Sequence, residues 1–398
     1  MVARDLVELA ECHGQWREKQ AHLNATAQAT LHRLKWKRGE EPLLVSMISY
    51  GTLLGTTLAA MQPHRVHRFH LNGVTDAAKY YAGELTSDTD GSDPVVGKFF
   101  EYCALAGPDL CPMWAGNASI DTQRRLEDIY TDIRLNGPIP VSGTSIVDPD
   151  IITLSDVKTK VLGLLYSPIT VWPGVASIIA PLTDRNGTAF AASKQSALAG
   201  AWGQVSDALG PDNPASAPSF SGAWAGAMIQ GGDSSARLPQ AEFARSRWGP
   251  LRKVTKWTGD QWASTYLALF NWPITFGWRY GDKHAISSNV TSNPILFASS
   301  LYDGATSLRS AKRMHAAFPG SRLLITNAEG HTTRSEPSLC NAKAIRRYFQ
   351  TGELPQESLL CRVNSRPFLG VDGPDVEYLG ELNKEDQTLY ESMVASLT

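Results

Sequence analysis

Short apolar runs alternate along this chain with segments whose apolar positions recur every three to four residues, a pattern of strands interleaved with helices. Val2, Leu6, Leu9 and Ala10 recur at i, i+4, i+7 and i+8 and predict an opening amphipathic helix. After the polar stretch "KWKRGEEP", the run Leu43-Leu44-Val45 reads as a strand, and Leu53 to Met61 reads as a helix beyond a tight turn. "RVHRFHLNGVTD", closed by Asn72-Gly73, reads as the next strand, which completes a βαβ unit and implies parallel pairing. From about Ala77 to about Ser288 the segments read as helices broken by proline and glycine. They include "SDVKTKVLGLLYS", an alanine-rich stretch near 189–202 and the low-complexity loop "GPDNPASAPSFSG". The alternation then resumes with strand "NPILFAS", helix "SLRSAKRMHAAF", strand "SRLLITN" and helix "SLCNAKAIRRYFQTG", the last ended by Gly352 with Pro355 beyond it. The expected organisation is an α/β core in two parts, residues 1–76 and 289–398, separated by a helical cap insertion over 77–288.

Charge narrows the partners. A net charge of −2 over 398 residues, 19% of them charged and none in a like-charged block, leaves no electrostatic footprint for nucleic acid or an anionic membrane. The expected partner is a small molecule or a short peptide. No apolar run approaches the roughly 20 residues that cross a bilayer, and "MVARDLVELAECHG" lacks the plan of a signal peptide. Four of the five cysteines fall in local pairs, Cys103 with Cys111 and Cys340 with Cys361. Either the pairs are disulfides that leave Cys12 free, or all five are small buried thiols. Asn24, Asn117, Asn186 and Asn289 head glycosylation sequons, which lean extracellular while the N-terminus does not, so the compartment stays open. No His/Cys/carboxylate cluster has ligand spacing, so no metal or organic cofactor is expected. His64, His67 and His70 are spaced by three across a turn and a strand, and read as surface or helix-end residues.

The chemistry gathers at strand ends. Ser49 lies on the turn between the first strand and its helix, where a nucleophile elbow would present a serine hydroxyl. The pattern wanted is G-x-S-x-G. Here it reads Met47-Ile48-Ser49-Tyr50-Gly51, with methionine at the first glycine position. Asp303 and His331 each follow a later strand, in "LYDGATS" and "AEGHTT", where active sites of parallel sheets form. Ser49, Asp303 and His331 stand in the chain order of the α/β-hydrolase triad. Each alone has a plainer reading, as a packed turn serine, a turn-forming aspartate and a loop histidine.

Three segments carry a resemblance that covers nearly the whole chain: "ISYGTLLGTTLAAMQPHRVHRFHLNGVTD", "LYSPITVWPGVASIIAPL" and the long run from "NPILFASSLYDGATS" to "RRYFQTGELP". In them the sequence resembles the prolyl-aminopeptidase-like serine peptidases, in particular the tripeptidyl aminopeptidases with a characteristic C-terminal domain. The resemblance implies an α/β-hydrolase fold with a large helical cap, Ser49 as nucleophile, Asp303 as orienting acid, His331 as base, and a Cys340–Cys361 disulfide like that of secreted members. The N–H of Tyr50 would supply one oxyanion donor, and Asp233, in "QGGDSS", is the candidate to receive a substrate ammonium group, though a turn aspartate is its plainer reading. Two departures accompany it. Met47 replaces the glycine that lets strand and helix pack closely, and the opening helix resembles the one that precedes the nucleophile strand. The strands usually upstream, and the glycine-rich loop with the second oxyanion donor, are therefore expected to be missing, leaving a shortened sheet. The leading expectation is an exopeptidase working through an acyl-enzyme. The alternatives are an ester, lactone or thioester hydrolase of a small-molecule pathway, because triad geometry does not choose the acyl group, and a catalytically impaired member.

Overall fold

The computed structural model describes residues 2–24, 28–84, 86–145, 147–197, 229–233, 242, 244–267, 290–357 and 359–397. The low-complexity loop "GPDNPASAPSFSG", the end of the alanine-rich stretch and the sequon at Asn289 lie outside them. In chain order the part before the insertion gives α1 (Val2–Asn24), α2 (Gln28–Leu34), β1 (Leu43–Ile48), α3 (Tyr50–Met61) and β2 (Val66–Asn72). The insertion contributes α4 (Ala77–Tyr81), α5 (Thr86–Thr89), α6 (Ser92–Leu110), α7 (Ser119–Asn136), β3 (Ile139–Val141) and β4 (Asp150–Ile152). It continues through α8 (Leu154–Gly163), α9 (Pro168–Ile179), α10 (Gly249–Val254) and α11 (Gly259–Leu267). Beyond it come β5 (Ile295–Tyr302), α12 (Leu308–Ala317), β6 (Arg322–Glu329), α13 (Leu339–Thr351), β7 (Leu360–Cys361) and α14 (Lys384–Ala395).

β1, β2, β5, β6 and β7 form one parallel sheet in that order. The apolar run of β5 is buried throughout its first six positions, as a parallel strand covered on both faces must be. β1 alternates instead, with Leu44 and Ile48 exposed, and stands at the edge of the sheet. One face of the sheet is packed by α3 and α12 around Leu53, Phe69, Leu71, Phe297 and Phe318. The helices between β2 and β5 enclose a second core around Phe99, Phe100, Tyr102 and Trp172. That stretch reads as wholly helical in the sequence, yet it holds the antiparallel pair β3–β4, whose strands are too short to show a period.

Two open readings are decided and one, that of His70, changes. α1 turns Ala3, Gly14 and Ala21 inward, while Val2 and Leu9 face solvent. The contact demands small residues, since a Cβ on Gly14 would lie 2.5 Å from the Trp36 ring. Cys12 is exposed rather than buried, and Cys103–Cys111 and Cys340–Cys361 are disulfide-bonded. His64 is exposed, but His70 is buried on β2, its Nδ1 3.0 Å from Ser46 Oγ, and burial lowers its pKa to about 4.

Candidate active site

Ser49 stands between β1 and α3 with φ 55° and ψ −129°, a region that residues with a side chain rarely enter. The turn is held from both sides. Ser49 N–H donates to the carbonyl of Asn72 at 3.0 Å, and the Ser49 carbonyl accepts from Thr52 N–H at 2.8 Å and from Thr52 Oγ1 at 2.7 Å. Thr75 N–H closes the arrangement on Thr52 Oγ1 at 3.0 Å. Met47 does not unseat it. A Cβ on Gly51 would lie 3.3 Å from Met47 Cβ, and one on Gly55 would lie 3.3 Å from Met47 Sδ, so two helix glycines give the side chain its space.

Asp303 follows β5 and is fully buried. Its Oδ1 accepts from the backbone N–H groups of Ala305 at 2.9 Å and Thr306 at 2.8 Å, and its Oδ2 accepts from Thr332 N–H at 2.9 Å. His331 follows β6, with Nδ1 3.0 and 3.1 Å from the two Asp303 oxygens. Burial alone would raise the Asp303 carboxyl. The charge and hydrogen bond of His331, with the Thr332 and Thr306 N–H groups, overcome it and hold the group below the usual carboxylate range. Burial would lower the His331 imidazole, and the Asp303 charge and hydrogen bond, helped by Asp88, raise it above the ordinary histidine value.

The structure brings the acid and the base together and sets them beside the elbow. Gly73, one residue past the Asn72 that anchors Ser49, has φ 65°, and a Cβ there would lie 3.1 Å from His331 Cε1. Nε2 of His331 is buried and has no hydrogen-bond partner among the described residues, so Ser49 Oγ does not yet reach it. Tyr50 opens α3, where backbone N–H groups have no acceptor within the helix. Its side chain turns to the insertion: Tyr50 OH donates to Asp233 Oδ2 at 2.7 Å, and Tyr80 OH donates to the same oxygen at 3.4 Å. Burial, then the bond to Asp233, pushes the Tyr50 phenol upward.

Other residues at the site carry no sequence signal. Tyr166, from the insertion, accepts the His331 N–H on its carbonyl at 3.1 Å and sets its ring edge-on to the imidazole at 5.6 Å. Gly330 permits that approach, because at φ 88° a Cβ would meet Pro168 at 2.5 Å and the Tyr166 carbonyl at 2.9 Å. Arg366 Nη1 lies between Glu329 at 2.6 Å and Glu336 at 3.1 Å, all three buried, so one guanidinium clamps both ends of the loop that carries His331. Tyr102 OH donates to Glu329 at 3.0 Å. With two carboxylates to one cation, burial and the Glu329 charge raise Glu336 well above the usual range. Asp88, buried beneath the Asp303 loop and bonded by Ser310 Oγ at 2.6 Å, is raised by burial to about 7. Among the described residues no group of three His, Cys, Asp or Glu could hold a metal ion, and no helix is long and apolar enough to cross a membrane.

A parallel sheet with a strained serine turn after one strand, an acid after a second and a histidine after a third has the α/β-hydrolase fold. Residues 255–361, which include Asp303 and His331 but not Ser49, match the family described as TAP-like protein. That match supports an α/β-hydrolase family and, with it, a hydrolase. No curated protein matches the chain.

Proposed function

We propose that the chain is a serine hydrolase that cleaves short peptides from a free N-terminus through an acyl-enzyme. The observation that carries the proposal is Ser49 in its strained turn beside a buried Asp303–His331 pair. In this reading His331 Nε2 takes the proton of Ser49 Oγ as that oxygen attacks the substrate carbonyl. Asp303 fixes the imidazole by its Nδ1–H and stabilises the charge it gains. The Tyr50 N–H donates to the oxyanion, and His331 then returns the proton to the leaving amine before water releases the acyl group. Asp233 accepts from the phenols of Tyr50, the residue next to the nucleophile, and of Tyr80, and its carboxylate is the group that would receive a substrate ammonium. The insertion serves as the cap that excludes water.

The test is labelling of the folded chain with a fluorophosphonate probe, read by intact mass beside a Ser49→Ala control, followed by tripeptidyl and aminoacyl amides and p-nitrophenyl esters. Labelling lost in the control, with turnover of the amides, supports the reading. Turnover of the esters alone would move it to an ester, lactone or thioester hydrolase. One observation favours a second reading: the unpartnered Nε2 of His331 fits a catalytically impaired protein that binds rather than cleaves, and a folded chain that takes no label would establish it. Apo enzymes often show such long catalytic contacts, which is why the hydrolase stands first.

A further inference from the structure

α1 carries four of its large apolar side chains on the face turned away from the fold, while Val7 packs against the core. The inner face is small-residued and is tied down by two ion pairs: Glu11 with Arg65 at 2.9 Å, both buried, and Arg17 with Glu41 at 2.8 Å. On the outer face Val2, Leu9, Trp16 and Leu23 fall at intervals of seven and are between 51 and 69% exposed. Scattered apolar residues on a surface need no explanation, but a strict seven-residue repeat on one helix is the seam of a helix pair. Three residues beyond the first three of them stand Asp5, Cys12 and Lys19, also exposed, which complete the narrow stripe.

This stripe is complementary to itself in one direction only. Asp5 and Lys19 lie equally far from Cys12, on opposite sides. A two-fold axis crossing α1 at Cys12 lays a second copy antiparallel, with Asp5 against Lys19 of the second copy, twice over. Within one residue step, about 1.5 Å of rise, it also sets Leu9 beside Trp16 and Val2 beside Leu23. A parallel pair would instead oppose Asp5 to Asp5 and Lys19 to Lys19. We infer that α1 is the contact surface of a symmetric homodimer, an antiparallel α1–α1 pair centred on Cys12. Isologous interfaces are self-complementary in this way. The inference holds whether or not Ser49 is a nucleophile.

Light scattering and sedimentation of the full chain at about 100 μM, above typical weak dimer dissociation constants, test it. A dimer is expected, linked through Cys12 by a short bis-maleimide and not linked after Cys12→Ser. Leu9→Glu with Trp16→Glu should yield a monomer of unchanged circular dichroism, since both side chains are more than half exposed. Asp5→Lys or Lys19→Asp alone should raise the dimer Kd about tenfold, because symmetry counts each exposed pair twice, and the two together should restore it. A monomer at that concentration, a dimer indifferent to the glutamates, or single charge reversals without effect would each overturn the inference.

Discussion

At the scale of single residues, the site rests on backbone positions that tolerate little. Gly330→Ala forces a Cβ into Pro168 and the Tyr166 carbonyl at a φ that suits glycine, and should destabilise the fold by about 1–3 kcal/mol in urea titration. It should also lower kcat far more than KM, because the next residue is His331. The protonation state gives a second prediction. His331 must be neutral to act as base, and Asp303 with Asp88 raises its pKa above the ordinary 6.5, so the acid limb of the kcat/KM profile should lie above pH 6.5. Asp88, itself raised to about 7, is only partly charged across that limb, so Asp88→Asn should move it to lower pH by a small amount; a limb unmoved in the variant would dismiss that coupling. The candidate catalytic residues are the legible ones. Ser49, Asp303 and His331 could be singled out because each closes an apolar run. Tyr166 and Asp88 could not, because a contact across a hundred residues or more leaves no local period.

At the scale of elements, the loop between β6 and α13 depends on one buried cation. Arg366→Met leaves Glu329 and Glu336 together without a partner and should cost about 3–5 kcal/mol, read from denaturant unfolding. Glu336→Gln should cost much less. Its raised pKa makes it the carboxyl of the pair to hold a proton, and an amide would keep that donor and the shape. Equal losses in the two variants would show that Glu336 is charged. Replacing Cys340 and Cys361 by serine frees β7 from α13 across a separation of 21 residues and should remove about 3 kcal/mol. Strands and helices of the sheet could be read from periodicity because each is long enough to show it. β3, β4 and β7 have two or three residues apiece and depend on their neighbours for existence. Which face of α1 the fold buries is not legible for a related reason: amphipathic spacing reveals that a helix has two faces and leaves open which one the fold takes.

At the scale of the whole molecule, the His331 N–H bond to the Tyr166 carbonyl ties the insertion to the base. If the insertion lifts to admit a substrate, that bond breaks and the imidazole loses its neighbour, so an open molecule is also a disarmed one. Entry and activation would then be a single event, an interlock that keeps an armed serine from meeting bulk solvent. Amide exchange at His331 would report it directly, slow in the free protein and slower still once an acyl group occupies Ser49.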